Sequence, residues 1–144
     1  MTLEEERRRD ALFAARGPVI ATVGFPREVM AACAELTHEP KTLTFEPGEY
    51  EILEDNEVAI ALRRKGLRPD TWAYLDESDH DYVLSAATDE LADVEYPESV
   101  TRALAIGPEL VWLTNPAGNP LRLFVGHTRS GNVVAVYVQL VRHN

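Results

Sequence analysis

The sequence predicts an α+β fold in which one largely antiparallel sheet ends in a C-terminal three-stranded meander and is packed by several short helices. Two observations support this class. The segment 109–142 holds the longest apolar strand pattern and the two clearest hairpin turns of the chain. Helix start and stop signals recur between the other strand patterns, without the regular strand–helix alternation of a parallel sheet. The sheet is therefore expected to be mainly antiparallel.

Length and composition predict a single globular domain over residues 1–144. At 144 residues and 45% hydrophobic, the chain fits one domain with a single core, and a second independently folding unit would be too small. Residues 1–10 are expected to project as a helix end, because they offer almost no apolar face. The polar start and the short apolar runs predict a cytoplasmic protein without a membrane segment. A single cysteine excludes an internal disulfide.

The N-terminal third is predicted to contain two helices around a short strand. A helix over 2–16 begins at the capping pair Thr2 and Glu5 and ends before a Gly-Pro step. The apolar run 18–23 fits a buried strand. Pro26 then suits the first turn of a second helix, which is expected over 26–38.

The middle of the chain is predicted to form a hairpin, a helix and a strand. Residues 41–46 and 49–53 alternate in polarity around a Pro-Gly turn, which is typical of a hairpin. The segment 57–65 also fits a strand, but its flanking signals, Asn56 before it and Gly66 after it, favour a helix. Residues 71–75 follow as a strand.

Two further helices and the meander complete the prediction. Start signals indicate helices over 82–91 and 97–106. The meander strands are expected at 110–113, 121–125 and 133–141. Both faces of the last strand are apolar, so it should lie in the middle of a covered sheet. The aromatic side chains on strands, Trp72, Tyr74 and Trp112, are expected in core or interface packing.

Charge is distributed unevenly along the chain. The net charge is −10, from 24 acidic and 14 basic residues. The acidic segment, residues 70–98 between Arg68 and Arg102, has no Lys or Arg and holds ten acids. The other 14 acids balance the 14 basic residues, so this segment accounts for the whole net charge. Such a surface would repel nucleic acid.

The leading hypothesis is a non-enzymatic binding or accessory protein that makes protein–protein contact through the acidic segment, as inhibitors and antitoxins do. Uncompensated negative charge accelerates association with a basic surface. The partner is either a basic protein or the arginine-bearing side of a second copy. No catalytic residue, cofactor or membrane contact is predicted. The acids expected to form the binding surface are Asp76, Glu77, Asp79, Asp81, Asp89, Glu90, Asp93 and Glu95.

A metal-assisted hydrolase is the first alternative. Carboxylates with an imidazole suit Mg²⁺, Mn²⁺ or Zn²⁺, and the set here is Asp76, Asp79, His80 and Asp81. Its spacing matches no established metal motif, and solvated acids at a helix start explain it equally well.

An RNA-directed hydrolase is the second alternative. His127 would serve as acid and base, while Arg122 and Arg129 would stabilise the developing charge. The competing interpretation is that these are ordinary solvent-facing residues near a hairpin. The acidic net charge also opposes RNA binding.

Overall fold

The structure, a computed structural model, describes residues 3–14, 19–33, 41–55, 59–78, 81–86, 99–101, 104–107, 110–113 and 120–140. Within these ranges the chain forms one helix and twelve strands. The helix is α1 (Leu3–Ala14). The strands are β1 (Ala21–Phe25), β2 (Glu28–Cys33), β3 (Lys41–Thr44), β4 (Gly48–Asp55), β5 (Ala59–Arg64), β6 (Thr71–Ser78), β7 (Tyr82–Ser85), β8 (Ser99–Thr101), β9 (Leu104–Gly107), β10 (Leu110–Leu113), β11 (Leu121–His127) and β12 (Val133–Leu140).

The strands form two six-stranded antiparallel sheets. Sheet A has the order β1-β4-β5-β12-β11-β6, and sheet B has the order β3-β2-β7-β10-β9-β8. Apolar side chains from both sheets share one buried cluster, in which Ile52 and Val136 of sheet A lie with Val29, Leu84 and Val111 of sheet B. Two sheets that bury their inner faces against each other in this way form a β-sandwich.

Strand β12 lies near the centre of sheet A, between β5 and β11. Val136 and Val138 belong to the inner cluster, while Tyr137 belongs to a second cluster on the other face of the sheet. This confirms the prediction that the last strand is central and covered. Both faces of β12 are apolar because one packs in the core between the sheets and the other packs in the second cluster, which includes Phe13 of α1.

Helix α1, predicted from its capping signals, is confirmed and packs on the outer face of sheet A. Phe13 joins the second cluster with Trp72, Tyr137 and Leu53. Arg9 is only 9% exposed, whereas Leu3 is 64% exposed. The helix therefore contacts the sheet through its C-terminal half.

The predicted α+β class with several helices is wrong, because the described residues are mostly strands. Each helix expected after α1 is replaced by strands wherever the chain is described. The segment 26–38 contains β2, 57–65 contains β5, 82–91 contains β7, and 97–106 contains β8 and β9. Parts of all four segments lie outside the described residues. In β5 the backbone between Ile60 and Leu62 pairs with strands on both sides, and such tertiary pairing overrides local helix signals.

Two predicted pairings are also wrong. The strands expected to form a hairpin over 41–53 lie in different sheets, because β3 pairs with β2 and β4 pairs with β1 and β5. The first strand of the predicted meander, β10, pairs with β7 and β9 in sheet B. The β11–β12 hairpin is confirmed, with Gly131 at φ 90° in its turn. No helix in the described part of the chain is long and apolar enough to cross a membrane.

Candidate binding surface at the edge of sheet A

Strand β6 is the terminal strand of sheet A and carries two acids of the acidic segment, Asp76 and Glu77. It pairs with β11 on one side, and its other side has no strand partner among the described residues. On the face of sheet A that points away from the core, Phe124 lies opposite Tyr74 and Arg122 lies opposite Glu77. The side chains of Tyr74, Glu77, Arg122 and Phe124 on this face, together with Asp76 at the edge of β6 toward sheet B, are called the β6 surface below.

Tyr74 is the most exposed aromatic side chain of the described β-sandwich, with 58% of its surface accessible. Its ring meets the Phe124 ring edge to face at 5.8 Å, and Phe124 in turn lies 6.4 Å from the buried Tyr137. Partial desolvation raises the pKa of the Tyr74 phenol, and the negative charges of Glu77 and Asp76 raise it further. The phenol thus remains a neutral hydrogen-bond donor in an acidic setting.

Glu77 is paired with Arg122 across the two strands. The distance from Arg122 Nε to Glu77 Oε1 is 3.6 Å, and both side chains are close to half exposed. An ion pair as exposed as this contributes little to stability. Either partner can therefore exchange it for a charged group on another molecule at low cost.

Asp76 links the two sheets. Its carboxylate lies 3.7 Å from the Lys41 ammonium of β3 and accepts a hydrogen bond from the Tyr82 hydroxyl of β7 at 3.1 Å. Lys41 also donates to the carbonyl of Leu75 at 2.6 Å, so that it covers part of the open edge of β6. A lysine at this position limits uncontrolled strand addition. Asp76 is a structural contact as well as a surface charge.

The remaining described acids of the segment also have intramolecular partners. Asp81 accepts a hydrogen bond from the Trp112 indole nitrogen at 2.8 Å. Asp70 accepts one from the backbone nitrogen of Arg129 at 3.0 Å, which fixes the β11–β12 turn against the start of β6. The donors in these two contacts, an indole N–H and a backbone N–H, carry no charge.

The predicted binding surface is described at three positions, Asp76, Glu77 and Asp81. The other predicted members lie outside the described residues: Asp79, Asp89, Glu90, Asp93 and Glu95. His80 of the predicted metal set lies outside them too. Over the described ranges no group of three His, Cys, Asp or Glu side chains could hold a metal ion.

In the RNA-directed alternative, Arg122 lies apart from His127. Arg122 and His127 are five residues apart on β11, which separates them by about 16 Å along an extended strand. Arg122 contacts Glu77, whereas Arg129 lies in the hairpin turn beyond His127. Acidic and basic side chains meet at the β6 surface instead, where Glu77 contacts Arg122. When the sequence is considered alone, Glu77 belongs to the protein-binding hypothesis and Arg122 to the RNA-directed alternative.

A pocket that the sequence did not reveal lies between α1 and the approach to β6. It measures about 270 Å³ and is lined by Asp10, Phe13, Arg63, Leu67, Arg68, Pro69 and Trp72. These residues come from the helix, the end of β5, the following turn and the start of β6. Since their proximity depends on where α1 packs, no local sequence signal identifies them together.

Comparison of the chain with protein-family models, curated proteins and solved structures gives no match. The chemistry of the β6 surface is thus inferred from its own side chains.

Proposed function

We propose that the protein is a non-enzymatic cytoplasmic binding module that holds a partner with a basic surface, in the way that inhibitors and antitoxins act. The contact is made by the β6 surface together with the acidic segment that continues from it. One observation carries the proposal: Tyr74, 58% exposed on a terminal strand, lies beside Asp76 and Glu77 at the start of that segment.

An exposed tyrosine backed by a second aromatic ring is suited to a binding contact. Tyr and Trp are enriched among the residues that contribute most to protein–protein affinity. Each buries a large surface area while only a few side-chain torsion angles become fixed. Tyr74 is supported by Phe124 at 5.8 Å, which fixes its ring before any partner arrives. Its hydroxyl can donate to an acceptor on the partner.

The charge around Tyr74 selects for a basic partner. Ten acids and no Lys or Arg lie between Arg68 and Arg102, and a field of this sign steers a positively charged surface toward β6. Glu77 can release Arg122 and pair with an incoming cation, because the existing pair is exposed. The acids thus raise the association rate and orient the partner, while Tyr74 contributes apolar surface that is buried in the contact.

A basic protein is favoured over a second copy as the partner. Each copy has a net charge of −10, so two copies repel one another at low salt. A basic partner gains from the same field. Added salt screens the attraction between the acidic segment and a basic partner, so this association should weaken as the salt concentration rises.

Affinity capture with surface variants tests this function. The tagged protein is used to capture proteins from an extract of its own source at low salt, alongside the double variant Tyr74→Ser/Glu77→Gln. We expect a basic protein in about equal molar amount with the unmodified chain, a loss of about tenfold or more with the double variant, and release by salt.

The matched control is Glu28→Gln, which removes one exposed negative charge from β2 of the other sheet. It should capture the same protein as the unmodified chain. Equal capture by all three proteins, or capture of no basic protein, would contradict the proposal.

A further inference from the structure

We propose that the pocket between α1 and the β5–β6 connection, lined by Phe13, Trp72 and Arg68, binds a small aromatic carboxylate. This site is separate from the partner contact proposed for the β6 surface, and its occupant is a small molecule. The pocket volume of about 270 Å³ lies just below the usual range for drug-sized ligands, which favours a ligand of one or two fused rings.

The walls of the pocket favour a flat apolar ligand. Phe13 and Trp72 meet edge to face, with ring centroids 5.1 Å apart and an interplanar angle of 61°. Leu67 is exposed to solvent although it is a large apolar side chain, and Pro69 completes the apolar lining. A bound ring would contact two aromatic groups and shield Leu67 from water.

Of the two arginines in the lining, Arg63 is already engaged. Its guanidinium donates to the Phe13 carbonyl at 2.8 Å and to Glu51 Oε1 at 3.3 Å. Asp10, the acid in the lining, is paired with Arg9 at 3.1 Å. The positive charge of Arg63 and the negative charge of Asp10 are therefore each paired within the protein.

Arg68 supplies the charge that remains. No carboxylate of the described residues lies within 4.0 Å of its guanidinium, which is exposed at the mouth of the pocket. A guanidinium presents paired N–H groups that match the two oxygens of a carboxylate. The acid Asp10 in the same lining disfavours a multiply charged group such as a phosphate, so a monoanion is the better match.

The two main walls are held in place without a ligand. The Arg9 guanidinium lies 4.5 Å from the centroid of the Trp72 ring, and Arg63 anchors the last turn of α1 through the Phe13 carbonyl. Pro69 lies close against Gly126, where a Cβ atom would come within 2.6 Å of it. A pocket whose walls are ordered in advance loses less entropy on binding.

The test is a titration followed by ¹H–¹⁵N NMR of the full chain. The chain contains two tryptophans, and the indole N–H signal of Trp72 is assigned by its loss in Trp72→Phe. The probe is 2-naphthoate, and its neutral isostere 2-naphthamide is the comparison ligand. We expect 2-naphthoate to shift the Trp72 signal saturably at millimolar concentration and to leave the Trp112 signal in place.

Two charge variants assign the carboxylate contact. Arg68→Gln should weaken 2-naphthoate binding by about fivefold and leave 2-naphthamide binding unchanged. Arg27→Gln, which removes an exposed cation between β1 and β2, should leave both ligands unaffected. The NMR spectrum of each variant also reports whether it is folded.

The proposal is overturned if the Trp72 signal does not move, if the acid and the amide bind equally well, or if Arg27→Gln weakens 2-naphthoate as much as Arg68→Gln does. None of these results bears on the β6 surface, where binding is measured with a protein partner.

Discussion

Arg122 Nε lies 3.6 Å from Glu77 Oε1 across the β11–β6 pair, which joins the basic side of the C-terminal strands to the acidic segment. The two groups belong to different hypotheses when the sequence is considered alone. In the fold they form one surface beside Tyr74. Under the proposed function, a basic partner has to displace Arg122 from Glu77.

Removing the positive charge of Arg122 should strengthen partner binding. In Arg122→Gln, Glu77 becomes available and the field at the β6 surface becomes more negative. We expect the association rate of the captured partner to rise about two- to fivefold at low salt, with the gain lost at high salt. Lys65→Gln, which removes an exposed cation from the turn after β5, is the control. Surface plasmon resonance of both variants would contradict the role of Arg122 if their rates were equal.

Tyr50 should make the fold sensitive to alkaline pH. It is completely buried, and its hydroxyl donates to the carbonyls of Glu46 at 2.6 Å and Val133 at 3.0 Å. Burial raises the pKa of the phenol well above its ordinary value; Arg64 opposes this shift and Glu46 adds to it. The folded state thus holds the proton more tightly than the unfolded state. The resulting stability is present below about pH 10 and declines as the pH rises above it.

Urea unfolding of Tyr50→Phe at several pH values tests this linkage. The variant should lose about 1 kcal/mol of unfolding free energy at neutral pH, because two carbonyls lose their donor. Its further loss between about pH 9 and pH 11 should be smaller than that of the unmodified chain. Tyr74→Phe, at an exposed position, should keep the neutral stability. Parallel pH profiles for Tyr50→Phe and the unmodified chain would show that Tyr50 does not cause the dependence.

Gly126 should be intolerant of any side chain. A Cβ atom there would lie 2.6 Å and 2.9 Å from Pro69 carbons and 3.3 Å from the Ala135 Cβ. We expect Gly126→Ala to lower the unfolding free energy by about 1–3 kcal/mol, the usual cost of overpacking. Gly24→Ala on β1, where a Cβ meets nothing within 4 Å, is the matched substitution and should be close to neutral. Similar midpoints of urea unfolding for the two variants would rule out the predicted steric conflict.

Arg9 should contribute to stability through packing as well as through charge. It is only 9% exposed, and its guanidinium covers the Trp72 ring at 4.5 Å. We expect Arg9→Ala to lower the unfolding free energy by about 1 kcal/mol. Arg7→Ala removes the same charge from an exposed position of α1 and should change it much less. If thermal denaturation gave equal losses, the contact with Trp72 would not be what stabilises the helix.

Local sequence signals correctly predicted the elements whose structure depends on residues nearby in the chain. Helix α1 follows from its cap and stop residues, and the β11–β12 hairpin follows from a turn that places Gly131 at positive φ. The central position of β12 follows from its two apolar faces. Each of these features can be inferred from a few consecutive residues.

The remaining elements depend on partners that are distant in the chain. Residues 57–65 carry helix signals at both ends, but Ile60 pairs with Val138 of β12 and with Glu54 of β4. That pairing and the burial of both faces favour a strand over the local preference. Phe45, in the first strand of the predicted hairpin, lies where the chain leaves sheet B, at a parallel bridge to Val133. Its ring still packs against that of Tyr50, with the centroids 5.5 Å apart.

The candidate surface was predictable in charge but not in geometry. Composition identifies Asp76 and Glu77 as part of an acidic segment. It does not show that Lys41 from the other sheet and Arg122 from β11 lie against them. Nor does it show that Tyr74, expected in core or interface packing, lies at an exposed sheet edge. Those relations require the strand order, which no local pattern specifies.

Site-specific photo-crosslinking at Tyr74 tests the central claim most directly. Tyr74→p-benzoylphenylalanine keeps an aromatic ring at the position and forms a covalent bond with whatever protein lies against it on irradiation in the native host. The predicted result is one crosslinked basic protein at Tyr74 and none from the same substitution at Glu28 on sheet B. No crosslink at Tyr74, or the same set of products at both positions, would contradict a partner-binding role for the β6 surface.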